Sequence, residues 1–263
     1  MQLGLALSGG GALGAAHIGV LESLAAVEIE PTFICGTSAG AIVGLLYAAG
    51  GVPMLQGFLT HLIDEGLIPT GPFQLPRPPD YLYSRVEAHL RDLTPATFAA
   101  LPRRFACVAT DIVTGDVVLL TEGNPVDAVL ASSAYPGVFS ARRIGGQWLV
   151  DGGVTRNLPA DFVRTLGADF VIGSSLYGLT PLPQQTRTGM PSRIQTALRA
   201  LEIQQRALSE AHMPFCDFCL RPPVEAFKWY DFNQMLPLRE IGRTYADAQR
   251  EALLALMRES VHT

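Results

Sequence analysis

Three short apolar runs in this chain each end on a glycine cluster, and that pattern constrains the fold more than any other feature. Leu3 to Leu7 runs into Ser8-Gly9-Gly10-Gly11-Ala12-Leu13-Gly14, Pro31 to Cys35 into Gly36-Thr37-Ser38-Ala39-Gly40, and Trp148 to Val150 into Asp151-Gly152-Gly153. A short continuous apolar run reads as a buried strand, and glycine lets the backbone turn sharply where the strand ends. Helical text follows the first two turns: His17, Val20, Leu21 and Leu24 after the first, and the almost wholly apolar Ala39 to Ala49 after the second. A helix apolar on every side is buried on every side.

The alternation continues along the chain. Helices are predicted over Tyr81 to Leu90, from Asn124-Pro125 to about Ser133, over Pro159 to Leu166, through Ile194, Leu198, Leu201 and Leu208, and over Ile241 to Met257. Strands are predicted over Phe105 to Ala109, Asp116 to Leu120 and Phe170 to Ser174, with Thr114-Gly115-Asp116 as the turn between the first two. Prolines make Leu67 to Pro79 and the stretch from Tyr177 to Pro191 loops, and Arg221 to Leu238 reads as irregular, with Phe227, Trp229 and Tyr230 prone to exposure. Strands alternating with helices indicate an α/β fold with a mostly parallel sheet. No repeat or clean boundary divides the chain, so residues 1–263 are expected to form one domain. Its motif-bearing core lies at about 3–175 and a helical, irregular part at about 190–263.

Composition removes several classes of function. Nineteen basic residues against 24 acidic ones give a net charge of -5, with no basic block to follow a phosphate backbone, so nucleic acid is not an expected partner. Four cysteines are too few for a disulfide framework, and Cys216-x-x-Cys219 has only His212 nearby to extend it into a zinc set. Cys35 reads as a small packed hydrophobe. Pro31 to Ile63 carries no Asp, Glu, Lys or Arg, yet glycines and Pro53 punctuate it as strand, turn, buried helix and turn instead of one membrane span. Met1-Gln2-Leu3 has no basic leader, so a cytoplasmic protein is expected, with peripheral contact to a membrane surface left open.

The chemistry resides in the three turns. Gly36-x-Ser38-x-Gly40 is a G-x-S-x-G elbow, in which the flanking glycines permit the strand-to-helix turn that lifts the serine hydroxyl out. Gly9-Gly10-Gly11 offers consecutive N–H groups at a helix start, a geometry that can hold a tetrahedral oxyanion. The same run also fits a dinucleotide pattern, Gly9-x-Gly11-x-x-Gly14, with Glu30 as the ribose acid, but Glu30 precedes the second strand instead of ending it. Asp151 closes a strand before two glycines; it is either a capping aspartate or a base for Ser38.

With those residues in view, the sequence resembles the patatin-like phospholipase family, whose glycine-rich oxyanion motif, G-x-S-x-G serine and D-G-G/A aspartate form a Ser-Asp dyad. The likeness runs from Leu5 to about Ser174 and includes Ala15-Ala16-His17-Ile18-Gly19-Val20-Leu21. It implies a three-layer αβα sandwich, hydrolysis of acyl esters of lipids in the manner of a phospholipase A or lysophospholipase, and neither metal nor cofactor. Ser38 and Asp151 would be catalytic, with the N–H groups of Gly10, Gly11 and Ala12 as the oxyanion hole. Gly9, Gly14, Gly36, Gly40, Gly152 and Gly153 would support the turns. The family's basic position in the glycine motif is Leu13 here, which removes a cation from the oxyanion loop and leaves the backbone donors. A Ser38-Asp151-His212 triad obeys the α/β-hydrolase order, but an elbow on the second strand comes too early for that fold, so the dyad is favoured. The other readings are a dinucleotide-binding protein and a non-catalytic lipid-binding protein. Ile42, Leu46, Tyr135, Pro136 and Phe139 are candidates to line an acyl cleft.

Overall fold

The computed structural model of the chain describes residues 1–67, 79–177 and 192–260, with the backbone alone for 79, 80 and 82. The proline-rich stretch after Leu67, most of the link after Tyr177, and His262 lie outside the described residues.

Among the described residues eight strands form one sheet: β1 (Leu3–Leu7), β2 (Phe33–Thr37), β3 (Arg104–Asp111), β4 (Val117–Leu120), β5 (Arg142–Ile144), β6 (Gln147–Asp151), β7 (Phe170–Ser174) and β8 (Phe218–Leu220). Their order is β5-β6-β3-β2-β1-β7-β8, with β4 also pairing β3. The β3-β2-β1-β7-β8 pairings are parallel, and β4, β5 and β6 add antiparallel pairs at one side. The helices are α1 (Ala15–Ala25), α2 (Ala39–Asp64), α3 (Pro79–Leu93), α4 (Pro125–Ser132), α5 (Ala160–Thr165), α6 (Arg193–His212) and α7 (Met235–Ser260).

Strand alternation sorts the core into two faces. Leu5, Leu7 and Ile34 pack with α1, α2 and α7 residues such as Leu21, Leu45 and Leu253, while Ala6, Cys35 and Val171 pack with Val163 of α5. The result is a three-layer αβα sandwich with a mostly parallel sheet, as expected. Cys35 and Cys107 are fully buried, and burial pushes both thiols up.

Two short strands, β5 and β8, were not expected. The helix after Ser38 does not stop near Ala49: it bends at Gly51, whose φ of 65° no helix interior adopts, and resumes to Asp64. Pro53 falls in the first turn of the resumed segment, where a missing N–H costs no helical bond. By length and composition α2 is apolar enough to cross a membrane, but more than half of its apolar window is buried within the fold. At α4 the expected cap is present: the Asn124 side chain accepts from the N–H groups of Val126 at 2.9 Å and Asp127 at 3.2 Å.

Candidate active site

The register of the sheet brings the three glycine turns to one end. Leu7 pairs with Gly36, Thr37 with Val108 and Asp151 with Ala109, so the glycine turn after β1, Ser38 and Asp151 stand over adjacent rungs of β1, β2, β3 and β6. Open α/β sheets bind ligands at this carboxyl end of their parallel strands.

Ser38 takes φ 53° and ψ -122°, a backbone conformation that costs a non-glycine residue about 1–3 kcal/mol. Its surroundings enforce it. A Cβ on Gly36 would strike the Gly40 carbonyl, and one on Gly40 would lie 2.5 Å from the carbonyl oxygens of Leu7 and Ser8, so only glycines let the elbow close. The Ser38 N–H donates to Ser132 Oγ at 2.9 Å, and that hydroxyl donates to Val108 O at 2.6 Å. Ser38 occupies the N-cap position of α2 with no side-chain capping bond, and the first turn holds no acidic residue, so the helix end favours negative charge beside its hydroxyl.

Asp151 is fully buried. Its Oδ1 accepts from the Gly153 N–H at 2.7 Å, while Oδ2 has no hydrogen-bond partner among the described residues. Burial raises its pKa to about 6, and the Ser38 hydroxyl and Gly153 N–H pull it back down. The Ser38 hydroxyl is therefore close enough to Asp151 to favour its charged form.

In the glycine turn, no acceptor takes the N–H of Gly10 or Gly11 among the described residues. The Ala12 N–H, expected as a third donor, is committed to Trp229 O at 2.7 Å. Gly11 has φ 58°, and its α-carbon lies so close to the Trp229 carbonyl that a Cβ would collide with it. Leu13 packs with Leu176, Val224 and Leu238, so an apolar cluster occupies the position where the family pattern has a cation.

A cavity of about 420 Å³ opens on Ser38, Gly10 and Gly11 and is walled by Ile42, Tyr135, Phe139 and Trp229. A narrower one of about 90 Å³, almost wholly apolar, adjoins it through Gly11, Ala39, Ile42, Val86 and Phe232 and reaches Leu46. Of the residues expected in an acyl cleft, Pro136 lines neither cavity. His212 bonds Arg156 and the Leu208 carbonyl and makes no bond to Asp151. Glu30 is exposed and pairs with Arg103.

Ser8, Ser132, Asn157, Ser174 and the role of His17 were not legible as site features. His17 is fully buried under the glycine turn. A carbonyl only accepts, so the 2.9 Å contact of Nε2 with Ser8 O puts the proton on Nε2, and Nδ1 accepts from Ser174 Oγ at 2.8 Å. Ser8 Oγ in turn accepts from the Leu176 N–H, and Asn157 O accepts from the Gly9 N–H. Burial lowers the His17 pKa from 6.5 to about 4, keeping the ring neutral at pH 7. Its folded pKa is the lower one, so its contribution to stability is whole above 6.5 and drains away as pH falls toward 4. His17→Ala is expected to destabilise the protein by about 1–3 kcal/mol by leaving Ser8 O and Ser174 Oγ unpaired. Melting curves would measure the loss.

Fold and site together describe a three-layer α/β protein with a strained serine on a strand-to-helix elbow, a bare glycine turn beside it and a buried carboxylate opposite. The model of the patatin-like phospholipase family matches residues 5–164, and the chain belongs to that family. An uncharacterized NTE family protein of Mycobacterium tuberculosis is 30% identical over 98% of this chain and 48% of its own length. Patatin-like phospholipase domain-containing protein 6 of Homo sapiens is 26% identical over 94% of this chain and 20% of its own. The chain thus spans about half, or less, of these relatives. Among solved structures, VipD from Legionella pneumophila is similar with a TM-score of 0.49 and 14% identity, covering 91% of this chain and 67% of that one.

Proposed function

We propose that this chain is a serine hydrolase of lipid acyl esters that works through a Ser38-Asp151 dyad and an acyl-enzyme. The observation that carries the reading is the pairing of a strained Ser38 with a buried carboxylate whose Oδ2 has no partner among the described residues, at the head of an apolar cavity. Asp151 Oδ2 takes the Ser38 proton as Oγ attacks the ester carbonyl carbon. The carbonyl electron pair moves onto oxygen, where the Gly10 and Gly11 N–H groups and the α2 N-terminus hold it. Collapse expels the alkoxide, which leaves with the proton from Asp151. Asp151 then takes a proton from water, whose oxygen attacks the acyl-enzyme, and returns that proton to Ser38 Oγ as the fatty acid departs. A carboxylate is a weak base in water; desolvation, which lifts its pKa to about 6, narrows the gap to the hydroxyl it must deprotonate. The apolar cavities suit the acyl chain.

Two outcomes test the reading. A fluorophosphonate should label the folded protein at one site, mapped to Ser38 by mass spectrometry. The labelling rate should rise with pH through an apparent pKa near 6, because only ionised Asp151 accepts the proton. A non-catalytic lipid-binding protein would bind vesicles and never label, and that result would sink the proposal.

A further inference from the structure

The far end of α2 carries a second cluster, remote in role from Ser38. His61 and Glu65 stand four residues apart at the helix terminus, so their side chains share one face. His89 of α3 closes on that face: its Nε2 lies 3.1 Å from Glu65 Oε2, and His61 Nε2 lies 3.5 Å from Glu65 Oε1. The imidazole rings meet edge to face with centroids 3.8 Å apart, and the ligand atoms of all three residues fall within 4.8 Å of one another.

We propose that His61, Glu65 and His89 form a binding site for zinc or a similar imidazole-seeking divalent cation, which clasps α2 to α3. A tetrahedral zinc with bonds of about 2.0–2.2 Å separates its ligand atoms by about 3.3–3.6 Å, close to the two spacings already present. Two nitrogen donors and one carboxylate oxygen favour zinc over calcium or magnesium, which take oxygen sets. The carbonyl end of α2 adds negative potential. The three side chains are graded in depth, with His61 46%, Glu65 25% and His89 10% exposed, so solvent reaches the cluster from the His61 side and supplies the fourth ligand.

One cation already holds the carboxylate. Arg85 donates from Nε to Glu65 Oε2 at 3.1 Å and from Nη2 to Oε1. Its side chain is 39% exposed and sits on the surface, so it can swing into water while the metal takes over its charge. Arg85 is therefore a competitor. The clasp bears on the acyl cavities, because Leu62 of α2 and Val86 of α3 line the narrower one. The site itself does not rest on the chemistry proposed for Ser38.

Zinc titration of the purified chain against a chromogenic chelator tests this. Wild type should bind one zinc at the cluster, with a rise in Tm of about 5 °C or more at zinc a hundredfold above Kd. His61→Ala, a change at an exposed position that leaves the core intact, and His89→Gln should each weaken that binding by more than about a hundredfold. Arg85→Gln should tighten it about tenfold by removing a like charge. Cys216→Ser/Cys219→Ser should leave it unchanged. The proposal falls if wild type binds no stoichiometric zinc, or if Arg85→Gln weakens binding. It also falls if binding survives both histidine changes and disappears with the cysteines, which would assign the metal to the Cys216-Cys219 pair.

Discussion

Ser38→Ala and Ser38→Gly are expected to be equally inactive, with acyl-ester hydrolysis lowered at least about a thousandfold, yet to differ in stability. Each removes the proposed nucleophile. Alanine keeps a Cβ at φ 53° and ψ -122° and retains the strain of about 1–3 kcal/mol. Glycine adopts that conformation without penalty, although its freer unfolded chain returns about 1 kcal/mol of the gain. Ser38→Gly should therefore be more stable than Ser38→Ala by about 1 kcal/mol, or a Tm about 2–4 °C higher for a chain of this size. The bond from the residue 38 N–H to Ser132 Oγ involves backbone and is common to both variants. Melting curves beside hydrolysis rates decide it. Retained turnover in either variant would remove Ser38 from the mechanism, and a Ser38→Gly protein less stable than Ser38→Ala by about 1 kcal/mol, the entropic cost alone, would remove strain from the elbow.

Asp151→Asn is expected to separate activity from stability more widely still. The amide retains an oxygen to accept from Gly153 and no longer accepts a proton, so turnover should fall by about three to four orders of magnitude. Stability should move the other way. The carboxyl's pKa is raised from 3.8 to about 6, so ionising it inside the fold costs up to about 3 kcal/mol. A raised carboxyl contributes most below the unfolded value of 3.8, and that contribution is lost as pH climbs through about 6. The asparagine variant should accordingly match wild type in stability near pH 4, gain on it up to about pH 6 and run parallel above. Denaturant melts at four pH values would trace this. An advantage over wild type that is no larger at pH 7 than at pH 4 would show that the buried carboxylate is solvated by other means. Such opposition is the usual signature of a site held ready at the expense of the fold.

Much of the architecture is legible in the sequence because its signals are local. An apolar run followed by glycines marks β1, β2 and β6, and Asn124 before Pro125 marks the start of α4. What escapes is either too short or too distant. Arg142–Ile144 and Phe218–Leu220 have three residues each, too few to show alternation, and pairing with β6 and β7 makes them strands. Gly50, Gly51 and Pro53 spell an end to the helix, yet only Gly51 departs from helical geometry, and burial of Leu55, Phe58 and Leu59 draws the next segment onto the same path. The glycine turn, the elbow and the aspartate are legible as motifs. Their supports are not, since Ser132 reaches Ser38 across 94 residues and His17 reaches Ser174 across 157. Ala12 illustrates the same limit: an N–H that the motif offers freely is taken by a carbonyl from the opposite end of the chain.

That carbonyl belongs to Trp229, 65 residues beyond the last position matched by the family model. It fixes Ala12, presses on Gly11 and presents its ring to the cavity, while its indole N–H is anchored on Glu202 of α6. The glycine turn that carries the proposed oxyanion donors is thus a two-part joint, with one half at the first strand and the other in the irregular segment before α7. A trimmed version ending after β7 would keep every recognisable motif and lose the far jaw of that joint. Anyone grafting, swapping or shortening this domain should count Trp229 and its tether to α6 as part of the smallest working unit.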